Sequence, residues 1–256
     1  MARSVSVRAT GAAVLTGALL AGVSACGASA ADDAHPDHRS FALHGHTLTV
    51  DSDDSALEIV AADGQRAGTV AVTRWFDASV VGGGDPTVRW SMTGGRLVLR
   101  VHCSGIVTDC SARHRIEVPR GVGVNVVNED GAVRASGFRD PLSVRVSDGA
   151  VHVTDSSGPL DLRADDGSVR AEVASRRVRA ATEDGPVDVR LSGAPDLVDA
   201  HSDDGSVTVT VPRGAYRVSA GADDGTVSVS VPRDDTSPHR VSAHAQDGEV
   251  TVRTAN

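Results

Sequence analysis

The sequence predicts an all-β protein: a parallel β-helix-like solenoid preceded by a strand-rich lead-in. Asp-Gly pairs recur at 130/131, 148/149, 166/167, 184/185, 204/205, 224/225 and 247/248, at intervals of 18, 18, 18, 20, 20 and 23 residues, which marks an internal repeat. Two residues after each Gly stands a Val, and two further on an apolar or small residue, from Val133 and Ala135 to Val250 and Val252. That is the period of a half-buried strand. No helical pattern competes with it.

Composition bounds the function classes. The 256 residues carry 34 acidic side chains against 25 basic ones, all of them Arg, for a formal charge of -9. No basic patch of the kind that tracks a phosphate backbone is present, so nucleic acid is excluded as a partner. Only six residues are aromatic (Phe41, Trp75, Phe76, Trp90, Phe138 and Tyr216), which disfavours a large cleft lined by stacking rings.

Residues 1–25 read as an export signal. Arg3 and Arg8 precede an apolar run from Ala12 to Val23 that falls short of the roughly 20 residues of a spanning helix. The tetrad Val23-Ser24-Ala25-Cys26 resembles the lipobox of bacterial lipoproteins. The resemblance implies a diacylglycerol on Cys26 and attachment to the outer face of the membrane by two acyl chains. The competing reading is ordinary cleavage within Gly27 to Ala31, with Cys26 discarded. Removing residues 1–25 takes away two Arg and no acid, leaving 23 Arg against 34 acids, or -11.

Residues 26–40 are small and polar without periodicity, the composition of a linker between lipid and domain. His35, His38, His44 and His46 fall close together there and nearby, but their spacing matches no closed metal site. Residues 41–120 form the lead-in, with strands expected at His46 to Val50, Ala56 to Val60, Thr69 to Trp75, Thr87 to Ser91, Arg96 to His102 and Arg115 to Val118. Trp75, Phe76 and Trp90 are expected in its core, and Gly82-Gly83-Gly84 is expected to be a flexible turn, since no phosphate-loop context follows it. Setting Cys26 aside leaves Cys103 and Cys110, an even pair in an oxidising compartment, read as a disulfide. A Cys/His metal site using His102 or His114 lacks a second Cys pair.

Residues 121–254 hold the repeat, with two short strands per period separated by breakers such as Gly158-Pro159 and Gly193-Ala194-Pro195. A solenoid stacks equivalent valines in columns. An antiparallel meander or sandwich, each Asp-Gly being a type I′ hairpin turn, fits the same local signal. The recurrence of the same small inward residues favours the stack.

A resemblance is carried by Ile116-Glu117-Val118-Pro119-Arg120-Gly121, then Val124-Asn125-Val126 and Asp130-Gly131-Ala132-Val133. This run is similar to the bacterial "putative adhesin" family, over about residues 60–254. The resemblance implies a parallel β-helix-like surface domain and supplies no catalytic residue.

In a stack the acidic pairs Asp165-Asp166, Glu183-Asp184, Asp203-Asp204 and Asp223-Asp224 line up along one edge, which suits a calcium ion. The alternative is turn chemistry, with Asp capping the turn, Gly supplying positive φ, and solvent with Arg134, Arg145, Arg163, Arg170 and Arg190 balancing the charge. The glycine-rich nonapeptide of calcium-binding β-rolls is absent. Polysaccharide hydrolysis or elimination has carboxylates here, but they recur with the turn period and lack aromatic partners, and no Gly-x-Ser-x-Gly elbow exists. The expectation is therefore an exported, lipid-anchored, non-catalytic module whose partner is a glycan, wall polymer or surface protein. The alternatives are an accessory or sensor lipoprotein contacting a membrane partner, and a calcium-dependent module. The last coil, near Asn256, is expected to leave an open edge.

Overall fold

The computed structural model describes Ala30 and residues 33–255, so the signal, the lipobox and Cys26 lie outside the described residues. The lead-in contains β1 (Asp37–Ala42), β2 (Thr47–Asp54), β3 (Ala56–Ala62), β4 (Thr69–Val81), β5 (Thr87–Thr93), β6 (Arg96–His102) and β7 (Val107–Pro119). Seven pairs follow: β8 (Gly123–Asp130) with β9 (Val133–Ser136), β10 (Leu142–Asp148) with β11 (Val151–Thr154), β12 (Leu160–Asp166) with β13 (Val169–Val173), and β14 (Arg177–Asp184) with β15 (Val187–Leu191). The remaining three are β16 (Leu197–Asp204) with β17 (Val207–Val211), β18 (Arg217–Asp224) with β19 (Val227–Val229), and β20 (Arg240–Asp247) with β21 (Val250–Thr254).

The two strands flanking an Asp-Gly never pair with each other. The first joins a ten-stranded sheet and the second an eleven-stranded sheet. Within each sheet successive repeats pair parallel and in register, as in Val144↔Leu162 and Val153↔Ala171. This overturns the antiparallel meander. A type I′ turn needs φ > 0 at both central residues, whereas here the Asp keeps an ordinary φ and only the Gly is turned, with φ between +107° and +159°. Asp-Gly is a corner between sheets.

Glycine is required at these corners for a second reason. The Gly149 N–H donates to the Asp166 carbonyl and the Gly131 N–H to the Asp148 carbonyl, so the backbone ladder runs through the corner and draws successive turns together. A methyl group on Gly149 would sit 2.7 Å from the Gly131 carbonyl oxygen, and at Gly167, Gly185, Gly205 and Gly248 it would fall closer still to the glycine of the adjoining rung. Real Cβ atoms do not approach backbone so closely. Buried polar side chains complete the corner. Thr182 Oγ1 donates to the Gly167 carbonyl, Ser202 Oγ to the Gly185 carbonyl, and Asn128 Nδ2 to those of Ser55, Asp130 and Gly131.

Between the sheets, period-two alternation fills one core. Val133, Val151, Val169, Val187, Val207 and Val250 are all essentially inaccessible, as are Val124, Leu142, Val178, Val198 and Val241 opposite. The repeat also has a rung upstream of the Asp-Gly series. β2 pairs parallel with β8, matching Asp54 to Asp130, and β3 pairs with β9, with Ser55 at the corner.

The order of the rungs departs from the order of the chain. The strands β20 and β21 lie between β16/β17 and β18/β19, with Val250 paired to both Val207 and Val227. The open edges at this end are therefore β18 and β19, not the last coil of the sequence. Val227 is 45% exposed where its counterparts are sealed. The connector between β19 and β20 supplies the length for this return, which accounts for the final interval of 23 residues.

At the other end β1 and β5 form the edges. Residues 37–40, expected in the linker, belong to β1, which pairs antiparallel with β4 through residues such as Phe41↔Val70. Trp75 and Phe76 are only partly buried, Arg113 lying over the Trp75 ring. Of the three aromatic residues expected in the core, Trp90 alone packs against it, beside Phe41 and His114. Phe138 and Tyr216 are instead the largest sealed rings. Cys103 and Cys110 are joined by a disulfide with Cα atoms 6.6 Å apart. Gly82-Gly83-Gly84 is no loose turn: Gly83 packs so closely on the backbone of Ser104 and Gly105 that a Cβ has no room.

Two substitutions test the corner. Gly149→Ala combines positive φ with a backbone clash and is expected to cost about 2 kcal/mol or more. Gly64→Ala, where a Cβ meets nothing within 4 Å, is expected to leave the urea midpoint within experimental scatter.

Candidate binding surface

Stacking in register turns each sequence position into a row. The residue before each corner, which is a glycine in seven rungs and Ser55 in the first, forms a continuous ladder of eight aspartates, in the order Asp54, Asp130, Asp148, Asp166, Asp184, Asp204, Asp247 and Asp224. Of the acids singled out in the sequence, Asp166, Asp184, Asp204 and Asp224 stand in this ladder. Asp165, Asp203 and Asp223 stand one position earlier, so adjacent acids belong to separate rows.

The arginines expected to neutralise these acids do so elsewhere. Arg163 pairs with Asp161 at 3.3 Å, Arg170 with Asp188 at 3.3 Å, and Arg190 with Asp188 at 3.0 Å and Glu172 at 3.8 Å, all on the outer sheet faces. Arg134 and Arg145 make no ion pair among the described residues. None of the eight ladder aspartates does either, so their mutual repulsion is left to solvent. Beside the ladder, the rings of His201 and His244 stack with centroids 5.5 Å apart, and their Nε2 atoms face Asp203 at 2.8 Å and Asp223 at 3.7 Å. Among the described residues no group of three or more His, Cys, Asp or Glu is arranged to hold a metal ion. The calcium reading thus has no geometry beyond the row itself. His35, His38, His44 and His46 are not gathered into a site; His38 Nδ1 lies 3.0 Å from Thr73 Oγ1.

The electrostatics of the ladder appear in its titration. Asp184 is raised above the ordinary carboxylate range, first because its carboxyl shares a hydrogen bond with Asp166, then through burial and the charges of Asp166 and Asp204. Asp247 is raised by burial and by Asp204 and Asp224, and Asp54 by burial and by Asp130 and Asp53. On the faces the balance is opposite. Burial pushes Asp51 up, but hydrogen bonds from Arg96 and Arg100 outweigh it and hold the group low.

Two shallow grooves lie on the outer faces. One, of about 420 Å³, crosses the eleven-stranded sheet over Arg134, His152, Arg170, Asp188 and Thr208. The register brings these together, because His152 pairs with Arg134 and Arg170, and Asp188 with Arg170 and Thr208. Here His152 Nε2 and Asp188 Oδ1 are buried without a partner, although Asp188 Oδ2 accepts from Arg170 and Arg190. The other groove, of about 620 Å³, runs along the ten-stranded sheet beside Pro141, Pro159, Asp161, Arg179 and Arg240. Neither groove was signalled by the sequence, since alternate polar residues in a strand look alike until the register places them.

Comparison with known proteins follows the same lines. The family model described as Toastrack DUF4097 matches residues 120–253. No curated protein matches the chain. Among solved structures, a "putative adhesin" from Bacteroides fragilis is similar at 13% identity and a TM-score of 0.45, over 87% of this chain and 98% of that one. A "putative cell adhesion protein" from Clostridium sporogenes gives 12% identity and a TM-score of 0.38, over 86% and 100%. A "putative lipid binding protein" from Parabacteroides distasonis gives 10% and 0.25, over 88% and 98%.

The pH dependence follows from the shifts. An Asp raised in the fold contributes stability that is present in full below its unfolded pKa and is lost as pH rises through the folded one. Asp184→Asn is therefore expected to raise Tm at pH 7, with the gain vanishing by about pH 4. His114 acts in the opposite sense. Burial and then the Arg74 charge lower it to about 4, and both ring nitrogens lack partners, so stability falls as pH drops from 6.5 toward 4. His114→Leu should flatten that limb. Thermal unfolding of the three chains from pH 4 to pH 8 checks both signs.

Proposed function

We propose, from the premise that the chain belongs to the Toastrack DUF4097 family, that it is a non-catalytic binding module held outside the cell membrane by a diacylglycerol on Cys26. In this reading the in-register repeat closes as a β-solenoid, and its outer faces present the ligand surface. The observation that carries it is the groove over Arg134, His152, Arg170, Asp188 and Thr208, where two buried polar atoms have no protein partner. A buried donor or acceptor left unpaired is costly, and a ligand rich in hydroxyl or amide groups satisfies both atoms once the two side chains turn toward the groove. Glycan or wall polymer has that chemistry, and a repeating polymer suits a surface whose rows repeat at the strand spacing of about 4.8 Å. No helix among the described residues is long and apolar enough to cross a membrane, and the anchor rests on Val23-Ser24-Ala25-Cys26. An adhesive role agrees with the wording of the structural relatives' descriptions.

Immobilised protein is expected to retain wall glycan. His152→Ala and Asp188→Asn should each weaken retention about tenfold, the loss of roughly one net hydrogen bond to a partly buried group. Unchanged retention in both variants would remove the groove from the reading. Expressed in a lipid-modifying bacterium, Cys26→Ala should lose acyl label and leave the membrane fraction.

A further inference from the structure

Beyond the ligand surface, the geometry points to a second contact. We propose that the tip of the ribbon formed by β4 and β7 inserts into the lipid bilayer, with Val81, Ile106 and Val107 entering the boundary between headgroups and acyl chains. The inference rests on the lipid-anchor reading of Cys26 for its orientation, and on the structure for its surface.

The strand β1 pairs with β4 only as far as Arg74, and β3 pairs with β7 only from Arg113 onward. Beyond these points residues 76–81 and 107–112 have only each other as strand partners among the described strands and run out as a two-stranded ribbon. At its end Val81 is 61% exposed, Ile106 86% and Val107 60%. Val81 and Val107 are register partners, and the Ile106 N–H donates to the Val81 carbonyl at 3.0 Å, so three exposed aliphatic side chains crowd the tip. Residues 79–84 and 103–108 contain no charged side chain, in a chain that is 23% charged. A charged protein surface or a glycan does not call for such a patch; an acyl boundary does.

The tip is also stiff. The Cys103–Cys110 disulfide spans it, and a Cβ on Gly82 or Gly105 would lie 2.8 Å from Ile106 or Val80 respectively. Little ordering is needed on insertion.

The position of the N-terminal chain supplies the partner. Asp33 Oδ2 accepts the Phe76 N–H at 3.1 Å, at the base of the ribbon. Because β1 runs antiparallel to β4, the chain traced backward from β1 heads toward the tip. Seven residue steps lead from Asp33 back to Cys26 and span at most about 25 Å, while the five steps from Phe76 to Val81 cover about 17 Å. An acylated Cys26 therefore holds the bilayer within reach of the tip. Three aliphatic side chains bind a bilayer weakly from solution, but a short tether raises their effective concentration to the millimolar range.

The test places a reporter at the tip with Ile106→Trp, and corrects for Trp75 and Trp90 with the unsubstituted chain. Two preparations are compared on vesicles of phosphatidylcholine and phosphatidylglycerol containing brominated lipid. One is the full chain acylated at Cys26; the other starts at Gly27, retains all the strands, and is attached through an N-terminal polyhistidine tag to nickel-chelating lipid. Quenching of the reporter by about half on both, abolished by Val81→Asp with Val107→Asp, is the expected result. An unquenched reporter on chelating vesicles overturns the proposal, as does shielding of the tip only in cell membranes that contain protein. Absence of acylation at Cys26 fails the anchor reading alone, because the tagged chain still decides the tip.

Discussion

The stack depends on the direct approach of one corner backbone to the next. At six corners a glycine N–H, and at the first the Ser55 N–H, reaches the carbonyl of the aspartate one rung away, and this holds the turns so close that no side chain fits at the corner glycines. Once the corners superimpose, register follows in both sheets. Inward residues then fall into columns, and the column, not the single residue, becomes the unit of packing. This is why valine recurs with so little variation: a larger residue would crowd its neighbour along the stack, and a smaller one would leave a void repeated at every layer.

The same superposition concentrates charge that the sequence spreads over a hundred residues. Aspartate suits the position before the corner glycine locally, but stacking sets eight of them side by side without a countercharge. On the sheet faces opposite charges also meet, as where Asp188 pairs with Arg170 one rung away and with Arg190 on its own strand, and there repulsion becomes attraction. The corner is an electrostatic cost accepted for geometry, while on the faces charge helps to hold neighbouring rungs together.

Much of this was legible in the residues. The Asp-Gly spacing and the Val-x-Val alternation identify the strands and their inward faces, and the recurrence of small residues favours parallel stacking over hairpins. What escaped had no local signature. Ser55 turns a corner without Asp-Gly-like spelling, so the first rung was not recognised as a repeat. Residues 37–40 carry too little alternation to separate β1 from linker, since its outer face is polar and only Phe41 is sealed. Trp75 and Phe76 follow the strand pattern but sit where β4 leaves the body, a matter of topology. The orphaned atoms of His152 and Asp188 depend on which residues lie one rung away, which alternation alone does not tell.

The position of β20 and β21 inside the stack has a consequence for biogenesis. Domains generally begin to fold from the N-terminal side during synthesis, and a simple stack grows by adding each turn to a finished edge. Here the rung made from residues 217–229 has no permanent neighbour until residues 240–254 emerge and occupy the space between it and β16/β17. Maturation thus ends with an interior closure instead of a cap, and the growing chain must hold its penultimate rung in reserve. A polypeptide interrupted near residue 239 would lack a middle layer, leaving two apolar edges exposed at once.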